Sequence, residues 1–206
     1  MLSPWLRSVE RIVMTAQEAK VRVLGLASSE PATRVPHLAR SIAEVATHAD
    51  VNTLLLDLSV QEGDTARVGW VPGNFHAQTL PVRDVAGFDV LFGDPTASAR
   101  YLFNNVAQLR TSIEQDLSSY GLIVVDLAPI ADMPDNAINP MAAALACDGV
   151  VLVATLGRVT RAKLLEAMEL MRTSGVKLIG SVVRQGPSVR RLAPRGKRRS
   201  STRATQ

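Results

Sequence analysis

The chain has 206 residues, 47% apolar and 20% charged, with 23 Lys and Arg against 19 Asp and Glu. This is ordinary globular composition with room for one sizeable domain, and no apolar run reaches the ~18 residues of a membrane span. The single cysteine, Cys147, excludes an intrachain disulfide and a cysteine-based metal cluster. Eight of the cations lie from Arg184 onward, where there is no acid, so the remainder carries 15 bases against 19 acids. The net charge of +4 therefore describes a tail and does not imply a nucleic-acid-binding fold.

Pro4 to Ala19 has the spacing of an amphipathic helix: Trp5, Val9, Ile12, Val13 and Ala16 fall on one face, Ser3 is placed to cap it, and Pro4 suits its first turn. Glu10 and Glu18 interrupt this segment, so a signal peptide is not expected and the chain is expected in the cytoplasm. Val21–Leu26 reads as a strand, Ala27 to Thr33 as a polar loop, and Val35 to His48 as a helix. Thr53–Asp57 is a second apolar strand ending in an acid. From Ser59 to Gly87, Gly63, Gly69, Pro72, Gly73 and Pro81 predict an irregular region with short elements.

Phe88 to Phe92 reads as a strand, and Asp94-Pro95 opens a helix expected to run to about Ser118. Leu122–Asp126 is a buried strand, Ala137 to Ala146 a helix, Gly149–Ala154 a strand, Thr160 to Thr173 a helix and Leu178–Val183 a last strand. Apolar runs without alternation suit strands covered on both faces, and their alternation with helices predicts βαβ units. The fold class expected is α/β, a doubly wound, mostly parallel sheet in a single domain. Residues 1–19 form its N-terminal helix, 20–184 the α/β domain, and 185–206 a basic tail whose Arg, Ser and Pro predict disorder.

Ligands of an open parallel sheet bind at the carboxyl ends of its strands. Here these ends carry SSEPATRVP after the first strand, Asp57 after the second, and Asp126 within IVVDLAP. His37, His48 and His76 have no spacing with acids or Cys147 that makes a metal site, and all three are expected at the surface. Cys147 is expected to be a small buried residue, and Ser28-Ser29 has no paired histidine of a hydrolase triad. Taken as structure alone, Asp57 and Asp126 are loop or helix caps.

In their order and spacing these segments resemble the cytosolic ATPase domain of bacterial tyrosine kinases and polysaccharide chain-length regulators, a MinD/ParA-like branch of the P-loop NTPases. Its first strand runs into T-S-x-x-P-G-E-G-K-[ST]-[ST], its second ends in D-x-D-x-R, and a later one in D-x-P-P. Its end is similar to GVVLVATLGRVTRAKLLEAMELMRTSGVKLIGSVV here. The resemblance covers about Val21 to Val183. It places Ser28, Pro31, Arg34, Asp57, Asp126 and Pro129 at a vestigial nucleotide site.

The departures from the pattern remove its chemistry. Ala32 and Arg34 replace the two glycines, Val35 the lysine, and Pro36 the metal-binding hydroxyl. Ser59 and Gln61 replace the second Asp and the Arg, and Ala128 the first Pro of the later motif. The glycines let backbone N–H groups turn toward phosphate and the lysine reaches its outer oxygens. Pro36 offers neither hydroxyl nor N–H. Phosphoryl transfer depends on those charges, so catalysis is not expected. No catalytic residue, metal or cofactor is assigned, and ATP with Mg²⁺ enters only if the altered loop still binds it, with Arg34 as the residue that could reach phosphate.

The resemblance implies a non-catalytic partner in bacterial exopolysaccharide biosynthesis and export, of capsule or holdfast type. It would dock to a membrane-anchored chain-length regulator, with the tail drawn to acidic lipid at the inner membrane by about 1 kcal/mol per cation. Two alternatives stay open: a divergent ATPase or tyrosine-kinase-like enzyme, and a MinD/ParA-like positioning regulator. The two tyrosines, Tyr101 and Tyr120, lie inside the domain, so the tail is no tyrosine-cluster substrate. Nucleic acid is not an expected partner, and an oligomer is left open.

Overall fold

A computed structural model describes residues 4–29, 35–59, 69–74, 79–130, 135 and 137–185. Its centre is a seven-stranded sheet whose first strand, β1 (Val23–Ser28), is entirely buried. Beside it lie β5 (Leu122–Asp126) and β6 (Gly149–Leu156), both parallel to it. The sheet continues through β2 (Thr53–Asp57) and β4 (Asp89–Phe92) to β3 (Val82–Arg83) on one side, and to β7 (Leu178–Gln185) on the other. The β3–β4 pair is the antiparallel one; the others are parallel. This is the doubly wound, mostly parallel sheet expected from the sequence.

The winding direction places the helices. From β1 the chain moves toward β2 through α2 (Val35–His48). The returns from β4 to β5, β5 to β6 and β6 to β7 run the opposite way. They pass through α3 (Ala97–Phe103) and α4 (Val106–Asp116), α5 (Pro140–Ala146) and α6 (Arg161–Thr173). Right-handed crossovers then put α2 on one face and α4 to α6 on the other. The two cores follow that division. Leu38, Ile42 and Ala46 of α2 pack with α1 (Pro4–Glu18) through Val9, Ile12 and Val13. Leu109 and Ile113 of α4, Ala143 of α5 and Met171 of α6 share the opposite core with Trp70 and Phe103. The carboxyl end of β1, around which the winding reverses, opens between the layers.

Local chemistry explains where element limits differ from the expected ones. β1 begins at Val23, two residues later than the apolar run, because Val21 belongs to the turn that closes α1. Its N–H donates to the Ala16 carbonyl (2.8 Å), and Lys20 takes a left-handed φ of 53°. The helix expected from Asp94 to about Ser118 is two helices. Asn105 interrupts it with extended backbone, and its side chain caps α4 by accepting from the Gln108 N–H (3.1 Å). α5 starts at Pro140 rather than Ala137 because Asn139 accepts from the N–H groups of Met141 and Ala142 and Pro140 fits the first turn. Thr160 caps α6 in the same way. The Ser59–Gly87 region contributes β3 and a short stretch at Trp70 that bridges to Gly93; residues 60–68 and 75–78 lie outside the described residues. So do Ser3, His76 and the tail beyond Gln185.

Candidate functional site

The expected site residues that are described converge at the carboxyl ends of β1, β2 and β5. Leu26 and Asp57 flank Asp126 in register on its two neighbouring strands. The backbone beyond the strands ties the ends together: the Leu58 N–H donates to the Asp126 carbonyl (2.9 Å), the Gly93 N–H to that of Asp57 (2.9 Å), and the Ile130 N–H to that of Ser28 (2.9 Å). Ser28 and Ser29 are buried, and Pro129 is half-buried beside them. Pro31 and Arg34 lie outside the described residues, as do Ala32 and Gln61.

The two carboxylates differ in surroundings. Asp57 is half-buried, and its Oδ1 accepts from both the N–H (2.9 Å) and the hydroxyl (2.8 Å) of Ser59. It therefore caps its own loop, with the residue that replaces the family's second Asp as donor. Asp126 is 2% exposed, and its Oδ1 has no hydrogen-bond partner among the described residues. Burial, reinforced by the negative charge of Asp57, raises its pKa well above the usual carboxylate range. Ser29 Oγ is a second buried polar atom without a partner among the described residues. The motif gave no weight to Ser29, which stands at one of its unspecified positions.

At the position where the resemblance would place a lysine, packing decides which way the side chain faces. Val35 opens α2, is 3% exposed, and belongs to the same apolar core as Leu38 and Ile42. Its side chain supports the sheet and carries no charge toward the cleft. Pro36, next to it, is exposed. Among the described residues no group of three or more His, Cys, Asp and Glu could hold a metal ion. The carboxylates could offer oxygen to a cation, but the described ends of this loop do not fit Mg-ATP. Where the lysine and the metal-binding hydroxyl are needed, there is a core valine and a proline.

Similar structures share this architecture. The kinase domain of the Escherichia coli tyrosine kinase ETK is 18% identical, covers 98% of this chain and 79% of its own, and superposes with a TM-score of 0.73. The VpsO kinase domain is 17% identical over 89% of this chain and 95% of its own, also at 0.73. The MinC:MinD cell division protein complex of Aquifex aeolicus matches at 13% identity over 80% of this chain and 68% of that one, with a TM-score of 0.59. This chain has the bacterial tyrosine kinase fold. The MinD-like P-loop ATPases share it. No protein-family model matches the sequence, and no curated protein matches it. His37 and His48 are exposed and Cys147 is buried, as expected. No described helix is long and apolar enough to cross a membrane.

Proposed function

We propose that this protein is a non-catalytic, P-loop-like partner in bacterial exopolysaccharide biosynthesis and export, docking to a membrane-anchored chain-length regulator. The observation that carries the loss of catalysis is the burial of Val35 in the apolar core at the position of the phosphate-binding lysine. A helix N-terminus alone contributes about 0.3–1 kcal/mol per exposed charge, too little to replace a lysine and a magnesium ion. The polysaccharide setting rests on the likeness to tyrosine kinase domains and on the order of segments from Val21 to Val183. Attraction of the eight cations after Val183 to acidic lipid would hold such a partner at the inner membrane.

Calorimetry with ATP, ADP and Mg²⁺ tests the reading. The expected result is no saturable heat at micromolar nucleotide, no hydrolysis above background, and no change on Arg34→Ala. A micromolar dissociation constant abolished by Arg34→Ala would overturn it in favour of a divergent ATPase. That second reading is favoured by one observation, the unpartnered Asp126 Oδ1 beside Asp57, where a cation could sit.

A further inference from the structure

The two edges of the sheet are built differently. β3 is two residues long and is blunted by Arg83, whose guanidinium binds Asp89 (3.0 Å). β7 has eight residues, LIGSVVRQ, with no proline, lysine or acid. Its one charge, Arg184, is turned onto the Trp5 ring, 4.6 Å from the centroid. Among the described residues β7 is paired on one side only, with β6. Exposed edges are ordinarily protected by shortness, charge or proline, because their unpaired N–H and C=O groups template another strand.

A groove of about 550 Å³ runs along this edge between β7 and α1. Its apolar floor is formed by Ile12, Val151 and Ile179, and it is open at Gly180, where an added Cβ would meet nothing within 4 Å. The charged side chains lining it are Arg7 and Arg11, one helical turn apart and exposed. Neither has an acidic partner among the described residues.

The geometry points to a peptide-docking site in which an extended, acidic segment of a partner protein adds to β7 as a further strand, its acids facing Arg7 and Arg11. Backbone pairing would supply affinity, and alternate side chains lying over the groove would supply specificity. Charge selects this occupant. A second copy of β7 brings Arg184 and no acid, and the chain beyond Arg184 brings seven more Lys and Arg and no acid, so either would set cations against Arg7 and Arg11. The site lies away from the carboxylates at the ends of β2 and β5, so the inference does not need the loss of nucleotide chemistry. Its failure would leave the calorimetric result untouched.

The test uses the full chain and a displayed library of decapeptides, half with Glu or Asp at alternate positions among Val, Thr and Ile, half with Lys at the same positions. Acidic peptides should be enriched, and hydrogen exchange should slow at β7 amides on binding. Arg7→Glu with Arg11→Glu should weaken binding by at least about tenfold and shift preference to the lysine half. Gly180→Phe, which enters open space, should block binding while leaving the melting temperature unchanged. Equal enrichment of both halves, or protection away from β7, would overturn the proposal. So would concentration-dependent dimerisation that Gly180→Phe abolishes, or loss of acidic-vesicle binding in the arginine variant with acidic-peptide binding intact.

Discussion

Asp57 and Asp126 stand opposite each other in register on parallel strands β2 and β5, one bonded to Ser59 and the other buried with an oxygen that has no partner among the described residues. The native state therefore holds a proton on Asp126 more tightly than the unfolded chain, where the ordinary value is 3.8. A raised native pKa contributes stability that is complete below the unfolded value and is lost as pH rises through the native one. Thermal unfolding followed from pH 4 to pH 8 should show the melting temperature falling across that range. Asp126→Asn should flatten the dependence and raise the melting temperature at pH 8, by roughly 2–4 °C for each kcal/mol gained. A variant less stable than the parent at pH 8 would show that Asp126 is held by a partner.

Restoring the lysine should not restore the site. Val35 is a core residue, so Val35→Lys places an ammonium among Leu38 and Ile42 and should cost roughly 1–3 kcal/mol in urea unfolding. Calorimetry on the same variant should still give no saturable nucleotide signal, since Pro36 continues to withhold a hydroxyl and an N–H.

Cys147 gives a clean probe of opening. It is buried, and desolvation, with the neighbouring Asp148 charge, pushes its thiol up to about 12. At pH 8 only on the order of one in ten thousand thiols would be ionised, and the thiolate is the reactive form. Native protein should resist a disulfide reagent, while protein in denaturant should release one equivalent at once. Rapid reaction of the native state would show that α5 opens locally.

Two glycines should respond oppositely to alanine. A Cβ on Gly69 would lie 2.5 Å from Asp94 Cα and N, backbone atoms that cannot yield cheaply. Gly69→Ala should therefore cost about 1–3 kcal/mol by displacing the Trp70 stretch from β4. Gly180→Ala meets open space and should change stability by less than about 0.5 kcal/mol. Paired denaturant melts of the two variants check the contrast.

Much of the fold was legible because its signals are local. The runs TLLLD and LIVVD have no alternation and occupy the limits expected of them as β2 and β5, each buried through its first four residues. Val35 to His48 is a helix over its whole expected span. The break at Asn105 divides the single helix expected there: Asn104 and Asn105 are poor helix formers, and the Asn105 side chain caps the new start. The pairing of Arg184 with Trp5 joins residues 179 positions apart and leaves no mark in any local pattern.

At the candidate site the sequence by itself determined which residues stand at the positions of the motif it resembles. Val35, Pro36 and Ser59 stand where that pattern has its lysine, its hydroxyl and its second aspartate, and identity at a position is a property of the chain alone. Only the tertiary structure decided what the remaining residues do. The same apolar side chain at position 35 could have faced solvent or the core, and packing against α1 and the sheet settles it in the core. Asp57 and Asp126, far apart in sequence, repel each other because parallel pairing sets them in register, and Asp126 is raised because that register also buries it. Burial and electrostatic coupling depend on the distances between groups, and those distances exist only once the strands have paired.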